Sequence, residues 1–104
     1  MPPALSPRTI LLIELVFSPK DMAEAAHWLE SECGNNLPFC DKLDADGLER
    51  IRFAALKLSK GNIHKLLKAI DEACMDWRDL LMAAEFGYDV HAHEAWAQEI
   101  LQKR

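Results

Sequence analysis

The stretch "DVHAHEAW" (89–96) places two histidines, a glutamate and a tryptophan within eight positions. Imidazole and carboxylate groups at that density could ligate a transition metal or relay a proton. Their spacing argues against a shared ion. On a helix His91 and His93 stand about 200° apart and point to opposite sides, whereas helical metal pairs sit three or four residues apart. His93 lines up with Trp96, Ala97 and Ile100 and reads as a histidine at the edge of a core, its ring nitrogen meeting one hydrogen-bond partner. His91 and Glu94 read as a surface pair. A metal would need further ligands from elsewhere, such as His64 or Cys40.

"KLDADGLE" (42–49) has the look of a calcium loop, with Asp44, Asp46 and Gly47 at its third, fifth and sixth positions. Lys42 then occupies the first position and Phe53 the twelfth, where a bidentate glutamate belongs. We read Asp44 or Asp46 as a helix cap instead. Of the three cysteines, Cys33 and Cys74 fall on apolar stripes and Cys40 in a loop. An odd count without paired spacing suits free thiols in a reducing cytoplasm. No nucleophile elbow, phosphate-cradling loop or dinucleotide fingerprint is present. The sequence thus offers no catalytic, cofactor-binding or metal residues, and none is expected.

Charge is the more informative signal. The chain carries a net charge of −5, which disfavours a protein that coats nucleic acid over its whole surface. Yet from Arg50 to Lys68 there are six basic residues and no acidic one: Arg50, Arg52, Lys57, Lys60, Lys65 and Lys68. On a helix Arg50, Lys57 and Lys60 share one side, with Phe53 among them and Leu56 at its edge. That combination, Arg50, Phe53, Lys57, Lys60, Lys65 and Lys68, is a candidate surface for an anionic partner. The plainer alternative is a solvated face with Phe53 buried under the N-terminal helix and the lysines paired to the protein's own acidic ends.

The elements that would position these residues are helical. "MPPALSP" (1–7) is expected to be extended or frayed. The apolar run from Ile10 to Phe17 has a period compatible with strand or helix; with nothing downstream for a strand to pair with, we favour a short helix. At nine residues "TILLIELVF" (9–17) is far too short to span a membrane, which takes about 20. "SPKD" (18–21) starts a helix with Ser18 as cap and Pro19 at its first position. Met22, Ala25, Ala26, Leu29 and Cys33 form its stripe, and Gly34 is its stop. A longer loop follows, near residues 34–45. A third helix begins near Asp46 and runs to Leu58, "SKGN" (59–62) turns, and Asn62 caps a fourth. Asp76 caps a fifth, ended by Gly87, and Asp89 caps the last, which runs to about Gln102. The expected fold is all-α, one domain over 1–104, a compact bundle of five or six short helices joined by short turns.

With these elements in place, "RFAALKLSKGNIHKLLKAIDEACMDWRDLLMAAEFG" (52–87) resembles a set of small uncharacterised bacterial helical proteins. They share a helix ending in Leu-Lys-Leu, a Gly-containing turn and an Asp-aromatic-Arg-Asp helix start. The likeness covers about a third of the chain and implies a bacterial, cytoplasmic, helical protein, with no activity to carry over.

The leading expectation is a non-enzymatic interaction protein that forms a homodimer. Its candidate dimer surface is Leu12, Ile13, Val16 and Phe17, because the run from Ile10 to Phe17 exceeds what a small core needs. The runner-up is a nucleic-acid-binding protein using the helical hairpin 50–70. A small enzyme or metal protein built around His93 or Cys40 is the third class.

Overall fold

The computed structural model describes residues 4–34, 37 and 44–103. Among these residues there are five helices and no strand: α1 (Pro7–Val16), α2 (Pro19–Glu32), α3 (Ala45–Ser59), α4 (Ile63–Ala83) and α5 (Ala92–Gln102). Each start has a local cause. Ser6 caps α1, its Oγ accepting from the Thr9 amide at 3.1 Å, with Pro7 at the first helical position. Ser18 occupies the same position before Pro19, but its hydroxyl donates to Asp21 instead of capping an amide. Asp44 caps α3 by accepting from the Gly47 amide at 2.7 Å, which gives the "DADG" segment its structural role. Asn62 caps α4 through the Lys65 amide at 3.0 Å. Residues 4–7, expected to be extended or frayed, therefore already include a cap and a helix start. Most of the expected loop at 34–45 lies outside the described residues, as do Cys40 and Lys42.

The two helices expected on either side of Asp76 are both present and run together as α4, meeting at a break. Asp76 has extended backbone (φ −162°, ψ 104°) inside α4. Its carboxylate accepts from the Arg78 amide at 3.0 Å, as a cap does, and also takes both ends of the Arg78 guanidinium at 2.9 Å. Beyond the break, Ala83 lines one groove with Leu58, Lys60 and Ala69. Gly87 does not supply the expected stop. α4 closes two residues earlier, with Glu85 in the left-handed region (φ 65°). The Phe86 amide donates to the Leu81 carbonyl at 2.8 Å and the Glu85 amide to the Met82 carbonyl at 3.0 Å, the paired bonds of a Schellman ending.

α3 is the hub. It pairs most extensively with α4, antiparallel across a turn that uses left-handed Lys60 (φ 51°) and Gly61 (φ 79°), and it also packs on α1 and α5. A side chain at Gly61 would come within 2.5 Å of the Val16 carbonyl oxygen, so this turn seats directly on the end of α1. Every residue from Ile51 to Leu56 is buried. The core around it comprises Leu12, Ile13, Phe17, Leu29, Leu66, Ile70, Leu80 and Phe86.

This arrangement corrects two expectations. Leu12, Ile13 and Phe17 are 0%, 2% and 3% exposed, and Val16 is half-buried, so the face read as a dimer surface is the inward face of α1. The outward face carries Ile10, Leu11, Glu14 and Leu15 instead. Phe53, read as part of an exposed basic side, is fully buried because α1 and α5 cover that side of α3. Among the described residues no helix is long and apolar enough to cross a membrane.

Candidate functional site

The six cations of 50–68 separate into two groups. Arg50, Arg52 and Lys57 turn inward and donate to backbone carbonyls. Arg52, 3% exposed, donates from Nε to Cys33 at 2.9 Å and from Nη1 to Ala4 at 3.0 Å, joining the end of α2 to the segment before α1. Lys57 Nζ donates to the Ala84 carbonyl at 2.8 Å and lies 5.0 Å from the centre of the Phe86 ring. A cation there complements the negative end of α4. Arg50 donates to the Phe86 and Asp89 carbonyls of the α4–α5 connection. These three residues fasten the fold through backbone carbonyls, Arg52 buried and Arg50 and Lys57 half-buried.

Lys60, Lys65 and Lys68 form the second group. All three are exposed, and no ion pair is formed by any of them among the described residues. They rim a groove of 360 Å³ whose apolar floor comprises Leu58, Ala69 and Ala83, with Glu72 also in its lining. Ala83, which follows the break at Asp76, lines this groove together with residues of the first half of α4.

The histidines separate as their spacing required. His91 is exposed and ends the turn before α5; its amide donates to the Asp89 carboxylate at 2.8 Å, so Asp89 braces this turn without capping a helical amide. His93 is buried, with ring centroids 5.7 Å from Phe53 and 6.3 Å from Phe86. Trp96 lies 6.1 Å from both phenylalanine rings and completes the cluster. His93 therefore sits in the core, deeper than its expected edge position, and its Nδ1 has no hydrogen-bond partner. Burial holds its pKa below the ordinary histidine value; nearby Arg50 and Arg8 act in the same direction against Glu94 and Glu49. His93 and Arg50 line one pocket of 240 Å³ with Asp44, Asp46 and Val90, and Arg50 Nε is likewise buried and unpaired. Glu94 faces Arg8 at 3.8 Å.

Above this cluster Arg8 caps the Phe53 ring, 5.2 Å from its centre, and pairs with Glu49 at 3.0 Å. Ser6 donates to the other Glu49 oxygen at 2.5 Å. Burial alone would raise the Glu49 pKa, but the Ser6 and Arg8 hydrogen bonds outweigh it and hold the carboxyl below its usual range. Cys33 is fully buried, and burial pushes its thiol up to about 12, which removes it as a nucleophile at neutral pH. Cys74 donates to the Glu32 carbonyl at 3.5 Å. Among the described residues no group of three or more histidine, cysteine, aspartate or glutamate side chains is arranged to hold a metal ion.

What sequence reasoning missed is the outward face of α1. Ile10, Leu11 and Leu15 are 45%, 37% and 38% exposed. Glu14 was the available signal: the one charge in the run marks its solvent side, and Ile10, Leu11 and Leu15 flank it on a helical wheel. No family model, no curated protein and no solved structure matches the chain, so the likeness seen in 52–87 adds nothing to the reading of these surfaces.

Proposed function

We propose that this chain is a non-enzymatic interaction protein that self-associates through the outward face of α1. The observation that carries the reading is the exposure of Ile10, Leu11 and Leu15 on one side of a helix whose other side is fully occupied by the core. Packing two identical faces against each other buries apolar side chains that one copy leaves in water, and a two-fold pair uses the same patch twice. Neither Cys33 nor Cys74 is in a disulfide, which suits a cytoplasmic setting. The nucleic-acid reading of the 50–70 hairpin is weakened because Arg50, Arg52 and Lys57 are engaged with backbone carbonyls, which leaves Lys60, Lys65 and Lys68 without an ion pair among the described residues.

Light scattering across a concentration series tests the proposal. The unaltered chain is expected to dimerise at micromolar concentration, and Leu11→Glu with Leu15→Glu to be monomeric while melting at nearly the same temperature. A chain that stays monomeric at high concentration, or a double variant that dimerises unchanged, overturns it.

A further inference from the structure

We infer that the groove rimmed by Lys60, Lys65 and Lys68 docks an acidic protein segment, one in which carboxylates flank an apolar side chain. The proposal uses residues other than those of the α1 face and does not rest on self-association.

Three features of the groove specify this occupant. First, its cations are available. The neighbouring Arg50, Arg52 and Lys57 are consumed by carbonyls, whereas Lys60, Lys65 and Lys68 are exposed and form no ion pair among the described residues. In a chain of net charge −5 this is a local reversal of sign, and it favours an anionic partner. Second, the floor is apolar. Leu58, Ala69 and Ala83 offer a shallow seat for an aliphatic side chain, which a free phosphate would leave empty. Third, Glu72 shares the lining. A carboxylate there repels a uniformly anionic polymer, and among the described residues no aromatic ring lines the groove for a nucleobase to stack on. An oligonucleotide is therefore the poorer fit, and a peptide of mixed acidic and apolar character the better one.

The seat is also rigid. Lys65 and Lys68 share one side of α4, and Lys60 is fixed by the left-handed turn that packs on the end of α1. Ala83, beyond the break at Asp76, completes the floor, and the adjacent Ala84 carbonyl is held by Lys57. Little has to be ordered on binding beyond the lysine side chains themselves.

Fluorescence anisotropy with a labelled peptide in which each leucine is flanked by two glutamates tests this. The same peptide with glutamine for glutamate, and an oligothymidylate, are the comparison probes. The acidic peptide is expected to bind, the glutamine peptide to bind much more weakly, and a tenfold rise in salt to weaken the acidic complex. The Lys60→Gln/Lys65→Gln/Lys68→Gln chain should lose roughly tenfold in affinity, since each exposed pair contributes modestly and three add. Its melting temperature should stay unchanged, because all three side chains are exposed. A Lys20→Gln/Lys103→Gln chain, which removes the same kind of charge elsewhere, should bind as the unaltered chain does. The proposal is overturned if the acidic peptide does not bind, if the glutamine peptide binds equally, if the two sets of lysine variants weaken binding alike, or if the oligothymidylate binds more tightly than the peptide.

Discussion

Arg52 and Lys65 are both cations on neighbouring helices of one hairpin, and they have opposite fates. Arg52 is 3% exposed and holds two chain segments together through the Cys33 and Ala4 carbonyls. Lys65 is exposed at the first turn of α4, its backbone amide donating to the Asn62 cap. The same contrast separates Lys57 from Lys68. In the first half of the hairpin the cations meet helix ends and connections, whose carbonyls lack partners within their own helix. In the second half they meet water. A run of like charge is thus not one surface: a guanidinium or ammonium near an orphaned carbonyl becomes part of the fold, and one turn further on it remains available for a partner.

The contrast can be broken from the inside first. Phe53→Ala removes the ring on which Arg8, His93 and Trp96 converge and should cost about 3–5 kcal/mol in a urea titration. A loss as small as that of a surface residue would mean that this side of α3 is open after all. Next comes the comparison of cations. Arg52→Met should cost about 2–3 kcal/mol by leaving buried carbonyls without their charged donor. Lys57→Met should cost about 1–2 kcal/mol through the Ala84 carbonyl and the Phe86 ring. Lys65→Met should stay within about 0.5 kcal/mol of the unaltered chain. Equal costs at Arg52 and Lys65 would erase the distinction drawn above.

Acidification sharpens the same boundary. His93 is held below its ordinary pKa of 6.5 by burial first and by Arg50 and Arg8 second, so the folded chain binds its proton less readily than the unfolded chain does. Its stability contribution is complete above pH 6.5 and is lost as the pH falls below that value toward the lowered one. Glu49, also lowered, adds a second loss as the pH falls through and below its ordinary 4.5. Melting temperature should therefore drop between pH 7 and 5, and His93→Gln should flatten that part of the curve while leaving the lower one. A His93→Gln curve with the original slope would assign the transition to another group. The smallest expected effect is a gain. Glu85 occupies a left-handed position at the end of α4, so Glu85→Gly should stabilise by about 0.5–1 kcal/mol, read as a rise in the urea midpoint.

Several of these positions were readable in one dimension, and the misses have physical causes. The Asn62 cap and the cap at Asp76 follow from side chains that reach amides two or three residues ahead. The Ser-Pro pair at 6–7 is the same signal as the pair at 18–19, yet the proline-rich start hid it; the first pair in fact makes the better cap. Gly87 drew attention as a stop because glycine adopts positive φ easily, but Glu85 takes the left-handed position. The Leu81–Phe86 ending, with both side chains in the core, outweighs the local preference. His93 was assigned to the apolar side correctly because helical periodicity alone places it with Trp96 and Ala97.

Helix type, caps and the opposed directions of His91 and His93 are set by neighbours within about four positions, and the amino-acid order was enough for them. Which side of α1 lies inward, and which of six cations remains exposed, depends on what packs against each face from distant parts of the chain. α1 is apolar on both sides, so its own pattern gives no direction except at Glu14; contact with α2, α3 and α5 chooses Leu12 and Ile13 for the core. α3 is covered on several sides at once, so a stripe analysis that assumes one buried face assigns Phe53 to the surface. The groove beside Lys60, Lys65 and Lys68 draws its lining from both sides of the break at Asp76 and from the end of α3, a grouping that only the packed chain contains.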